Sequence, residues 1–157
     1  MNILNTQHTK IHFNDRKDLK TFNRKCYVRR DIKNEIRKRK IDTIEDMAIA
    51  KVDVIFEKVM KVLDTYPFHN LDFNVTILPD DEDVSRKFME IYGKKVDYIA
   101  FYSRRNKMVY FSARHAKLRV VAHEFGHVVA ELWFSPTSPS RTVHEIIAQA
   151  TEKLIYD

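Results

Sequence analysis

The sequence predicts a small α+β domain in which a short, mostly antiparallel sheet packs on a central helix and on the helix that follows it. Three observations carry that reading: strand-like runs confined to the middle of the chain, helix-period apolar stripes on both sides of them, and only 2 glycines in 157 residues. With 44% hydrophobic and 32% charged residues, the composition is that of a globular chain, and the length suits one modest core.

Residues 1–20 show no clear period and read as a segment running over the surface. Residues 31–40 then form a short charged helix on which Ile32, Ile36 and Ile41 make a narrow apolar stripe. Residues 43–66 form a longer one, whose Ile49, Val52, Ile55, Phe56, Val59 and Val62 should be buried. Two overlapping capping pairs, Asp42 with Glu45 and Thr43 with Asp46, compete for its start, and Pro67 ends it. Residues 71–77 alternate apolar with polar side chains, which predicts a strand with one buried and one wet face. Pro79 and the acidic run from Asp80 to Asp83 mark the start of a short helix, because negative charge is favoured at the positive end of the helix dipole. That helix runs to about Tyr92 and stops at Gly93. Two β-rich runs, 98–102 and 108–112, flank a polar link and read as an antiparallel hairpin. Helices over about 117–132 and 143–155 follow, separated by the turn-rich residues 135–140.

Charge divides the chain near residue 40. Residues 1–40 hold 13 Lys and Arg against 4 Asp and Glu, whereas residues 41–157 hold 15 against 18, so a basic N-terminal arm precedes the domain of 41–157. Clustered cations gain by neutralising phosphates or carboxylates, so nucleic acid or an acidic partner suits such an arm, which reads as a docking or regulatory segment. Its aromatics are only Phe13, Phe22 and Tyr27, without a stacking motif, and a solvated helical face accounts for the same charge. No apolar stretch has membrane-spanning length, which predicts no membrane partner. The first six residues are too polar for a secretory signal and Cys26 is the lone cysteine, which makes a cytoplasmic location the expectation. Cys26, His8, His12 and His69 are too scattered to form a second metal site.

The chemistry concentrates at His123-Glu124-Phe125-Gly126-His127. On a helix, positions four apart differ by about 40° around the axis, so both imidazoles can share one metal ion. Glu124 sits at the edge of that face, where its carboxylate can bond a water on the metal instead of becoming a ligand. Val120-Val121-Ala122 and Val128-Val129-Ala130 are apolar flanks that bury the helix, and burial favours a metal over two merely hydrogen-bonded histidines. A catalytic zinc takes three protein ligands and keeps a fourth position for water. The elongated metzincin pattern is excluded, since Ala130 stands where its glycine would be and Trp133 where its third histidine would be. The next helix offers His144 and Glu145 as third ligand, with seventeen residues between His127 and Glu145. Thr142 and Glu145 also fit a capping box, which would direct the glutamate to the helix start instead.

Residues 98–152, about a third of the chain, resemble the catalytic core of gluzincin metallopeptidases, the thermolysin-like group, and the small size is similar to that of the minigluzincins. The likeness extends beyond the pentapeptide: Ala100-Phe101-Tyr102, a polar link, Met108-Val109-Tyr110, Val120-Val121-Ala122-His123-Glu124 and then Glu145-Ile146-Ile147-Ala148-Gln149 follow that group's order of edge strand, next strand, metal helix and glutamate helix. The resemblance implies a zincin-like fold and a zinc-dependent peptidase with His123, His127 and Glu145 as ligands and Glu124 as general base. It implies that Ile99, Ala100, Phe101 and Tyr102 pair with an extended protein or peptide substrate, and that an inhibitory segment can hold the enzyme latent. Two departures stand out. Gln149 replaces the aspartate that commonly orients a metal histidine, and no downstream oxyanion residue is assigned, with His115, Tyr102, Tyr110 and Tyr156 as substitutes. The alternative function is a nucleic-acid-associated protein, localised by its basic arm, whose zinc site is structural or auxiliary.

Overall fold

The computed structural model describes residues 1–65, 72–134, 137 and 139–156. Pro67, His69, Leu71 and part of the 135–140 turn lie outside the described residues. In chain order the elements are β1 (Asn2–Asn5), β2 (Lys10–Phe13), α1 (Arg16–Lys25), α2 (Arg30–Arg37), α3 (Ile44–Val62), β3 (Asn74–Leu78), α4 (Asp81–Tyr92), β4 (Ala100–Ser103), β5 (Met108–Ser112), a 3-10 turn (Ala113–His115), α5 (Leu118–Trp133) and α6 (Arg141–Leu154).

The sheet order is β1-β2-β3-β5-β4. β1 with β2 and β4 with β5 are antiparallel, while β3 is parallel to both β2 and β5. The fold is therefore α+β as expected, but its sheet is mixed and not mostly antiparallel. Helices α1–α3 and then α4 lie between the parallel partners in sequence and provide the crossovers that parallel pairing requires. Period-2 patterning reports a strand but not the direction of its neighbour.

Residues 1–20 correct the surface reading. They supply β1, β2 and the start of α1, and Ile11, Phe13, Leu19 and Phe22 are buried in the main core together with Val52, Phe56, Val75, Phe111 and Phe125. The two strands span only four residues each, too short for alternation to rise above their polar surroundings. Two cations of residues 1–40 are held by acids of α3: Arg16 reaches Glu45 at 2.6 Å and Arg39 reaches Glu57 at 2.9 Å.

β3 is buried from Val75 to Leu78 on both faces, which corrects the expected wet face. Val75 and Ile77 face the main core, whereas Leu78 joins Val84, Phe101 and Tyr110 in a smaller cluster. Helix α4 covers that second face. Its N-cap Asp80 accepts from the Asp83 amide, and Gly93 ends it in the left-handed region at φ 67°, which glycine adopts without a Cβ penalty. At α3 the competition resolves for Thr43, whose hydroxyl accepts from the Asp46 amide at 3.0 Å, while the Asp46 carboxylate accepts from the Asp42 amide.

Candidate metal centre

Helix α5 is oriented by Phe125. This side chain is fully buried and meets the rings of Phe56, Phe73 and Phe111 at centroid distances of 5.3, 5.9 and 6.0 Å. His123 and His127 lie two positions to either side of it, about 200° around the axis, so anchoring Phe125 in the core turns both imidazoles outward. Their rings stand 5.0 Å apart, and both side chains are mostly buried.

Helix α6 supplies the third group. A Cβ on Gly126 would lie 2.7 Å from Thr151 Oγ1 and 3.1 Å from Ala148 Cα, so the absence of a side chain there lets the two helices approach closely. Helix α6 starts two residues earlier than expected. Ser140 is its N-cap and accepts from the Val143 amide at 3.3 Å, so Glu145 is not part of a capping box at Thr142. Glu145 instead extends to the histidines, with Oε1 3.1 Å from His127 Nε2 and Oε2 3.8 Å from His123 Nε2. One donor atom from each of His123, His127 and Glu145 lies within 4.8 Å of the others. Ligands about 2.0–2.1 Å from one tetrahedral ion sit roughly 3.3 Å apart, so this donor set fits zinc after small side-chain adjustments.

His144, the other candidate third ligand, is engaged elsewhere. Its Nδ1 lies 3.2 Å from His127 Nδ1 and its Nε2 lies 3.0 Å from Glu131 Oε2, while Glu131 Oε1 accepts from Arg104 Nε at 3.2 Å. On the other histidine, His123 Nδ1 faces Glu152 Oε2 at 3.5 Å, although without hydrogen-bond geometry. Gln149 is exposed, so the carboxylate nearest His123 Nδ1 comes from the turn after it. Sequence reasoning overlooked Glu131 and Glu152. Their spacing was a usable signal: Glu131 follows His127 by four residues and Glu152 follows Glu145 by seven, both helix-face intervals.

Glu124 is 8% exposed. Burial raises its pKa to about 8, helped by the negative charges of Glu145 and Glu152 and opposed by the Tyr102 backbone N–H, which favours the carboxylate. Burial, followed by the neighbouring His123 and His144, lowers the pKa of His127 to about 3, which keeps its imidazole neutral as metal binding requires.

A cleft of about 950 Å³ opens over these groups, with Ala100, Phe101 and Tyr102 among its lining. The Ser112 amide donates to the Ile99 carbonyl at 2.9 Å, and the register pairs Ala100 with Phe111 and Tyr102 with Val109. Antiparallel pairing alternates, so the backbone groups of Ala100 and Tyr102 point away from β5 toward the free edge. Ile99 therefore departs from the expected substrate set: its carbonyl is used within the hairpin, and it does not line the cleft. Of the four candidate oxyanion residues only Tyr102 lines the cleft. His115 bonds Asp81 at 2.7 Å, the Tyr110 hydroxyl accepts from Asn106, and the Arg29 guanidinium covers the Tyr156 ring.

No protein-family model matches the sequence, and neither a curated protein nor a solved structure matches it. Among the described residues, no helix is long and apolar enough to cross a membrane.

Proposed function

We propose that this chain is a zinc-dependent peptidase of gluzincin type that hydrolyses peptide bonds in extended substrates. The observation that carries the reading is the convergence of His123, His127 and Glu145 beside the buried carboxylate of Glu124, next to an edge strand whose Ala100 backbone groups and Tyr102 carbonyl face away from β5. A zinc ion held by those three side chains would supply Lewis-acid polarisation of the scissile carbonyl and bring the pKa of a coordinated water to about 7. Ala100, through its amide and carbonyl, and Tyr102, through its carbonyl, bind the substrate backbone as an added strand beside Glu124, whose carboxylate accepts from the Tyr102 amide. Glu124 takes the proton of the attacking water on its carboxylate and passes it to the leaving amine nitrogen, acting first as base and then as acid. A dication nearby favours the ionised carboxylate, so metal loading prepares Glu124 for its first step.

The cleft is lined by residues between Phe88 and Glu145, and β1 and β2 occupy the opposite side of the sheet from β4, so latency imposed by residues 1–40 is not part of this proposal. The nucleic-acid reading rests on the basic residues alone, and salt-dependent binding to DNA or RNA tests it. For the peptidase, elemental analysis and casein digestion of the wild type, Glu124→Gln and His123→Ala decide. About one zinc per chain is expected in the wild type and Glu124→Gln, little in His123→Ala, and cleavage in the wild type alone. A wild type that takes up no zinc overturns the proposal.

A further inference from the structure

We propose that Glu131 and His144 are positioning residues that fix the tautomer of His127 and so aim its Nε2 lone pair at the metal position. The inference rests on the metal reading above and assigns work to two side chains outside the donor set. Each hydrogen is placed by the one before it. A carboxylate only accepts, so at 3.0 Å from Glu131 Oε2 the Nε2 of His144 carries the hydrogen. The Nδ1 of a neutral His144 is then a lone pair. The Nδ1···Nδ1 contact of 3.2 Å needs one donor, which makes His127 Nδ1 the protonated nitrogen and leaves its Nε2 bare; Glu145 Oε1 stands 3.1 Å from that Nε2 without a hydrogen bond between them, the separation of two ligands on one ion.

The arrangement is built into both helices. Glu131 stands one turn beyond His127 on α5, and His144 immediately precedes Glu145 on α6, so the same close packing that brings in Glu145 delivers His144. His144 is 7% exposed, which leaves water little chance to replace Glu131. Arg104, from the turn that follows β4, fastens the far side of Glu131 and joins the network to the substrate-edge hairpin. The two metal histidines thus differ: His127 is fixed through a set of hydrogen bonds at Nδ1, whereas among the described residues the Nδ1 of His123 has the looser approach of Glu152 and no hydrogen bond.

The test is zinc affinity by chelator competition, with the visible spectrum of the cobalt-substituted protein as a second readout and circular dichroism as the check on folding. His144→Leu removes the acceptor and is expected to weaken zinc binding about 10–100-fold, and Glu131→Gln about tenfold, each with a shifted cobalt band. His144→Asn places an amide oxygen where Nδ1 stood, so it restores affinity to within a few-fold of wild type and makes Glu131→Gln silent when the two are combined. A wild type that binds both ions while His144→Leu and Glu131→Gln keep wild-type affinity and spectrum overturns this inference alone. Additive losses in the His144→Asn, Glu131→Gln double variant also overturn it. A wild type that binds neither ion overturns the metal reading and the inference with it.

Discussion

Glu124 is the residue on which structure and chemistry pull hardest against each other. A carboxyl whose pKa rises to about 8 in the folded chain, above its ordinary value of 4.5, holds its proton more tightly than in the unfolded chain. Between those two values the folded state binds more protons, so metal-free stability falls as pH rises through that window. Glu124→Gln removes this dependence while keeping an acceptor for the Tyr102 amide. In the presence of a chelator, the variant should melt above the wild type at about pH 9, with the gap closing near pH 4, and thermal denaturation at both values checks it. His127 acts in the opposite sense. Its pKa of about 3 lies below the ordinary 6.5, so stability falls as pH drops between those values, and His127→Gln should flatten that acid limb.

At the scale of elements, the site depends on how closely α5 and α6 pack. Gly126→Ala adds a Cβ against Thr151 Oγ1 and against the backbone of Ala148, and backbone cannot swing aside. Overpacking of this kind costs about 1–3 kcal/mol, offset by about 1 kcal/mol of helix propensity. A modest loss in urea denaturation is therefore expected, with a larger proportional loss in zinc affinity, because displacing α6 moves Glu145 and His144 together. Phe125→Ala tests the opposite face of the same helix and should cost about 3–5 kcal/mol by the same denaturation measurement. The cap of α6 shows why element starts are hard to read: Ser140 and Thr142 are both good caps two residues apart, and their choice decides whether Glu145 bonds its own helix or faces the histidines.

For the whole molecule, the decisive feature is that residues 1–40 share the core with the site-bearing elements. Deleting them removes β1, β2, α1 and α2 and with them the buried Ile11, Phe13, Leu19, Phe22, Ile32 and Ile36. Side chains of this kind contribute about 1.5–3 kcal/mol each, so the six together are worth about 9–18 kcal/mol, as much as the usual net stability of about 5–15 kcal/mol. A chain starting near Ile41 is expected to be unfolded or insoluble, as circular dichroism and gel filtration would show. The hairpin and α4 were legible because their signals are local: a polar link between two β-rich runs, an acidic start and a glycine stop. β1 and β2 were not, because four residues carry too little pattern and the burial of β2 depends on β3, about sixty residues away.

By itself the sequence determined which side chains could do chemistry here: two histidines one turn apart, the glutamate between them, and a further glutamate on the next helix. Helical geometry makes such spacing a statement about shared faces before any tertiary contact exists. Tertiary structure alone decided which of His144 and Glu145 meets His127 Nε2, and which backbone groups of the edge strand are free. The first follows from the α6 cap and its close packing at Gly126, and the second from the register that spends the Ile99 carbonyl on Ser112. Both turn on a choice that residue types alone leave open, between two neighbouring caps and between two registers of one hairpin, and it is made by how the elements pack.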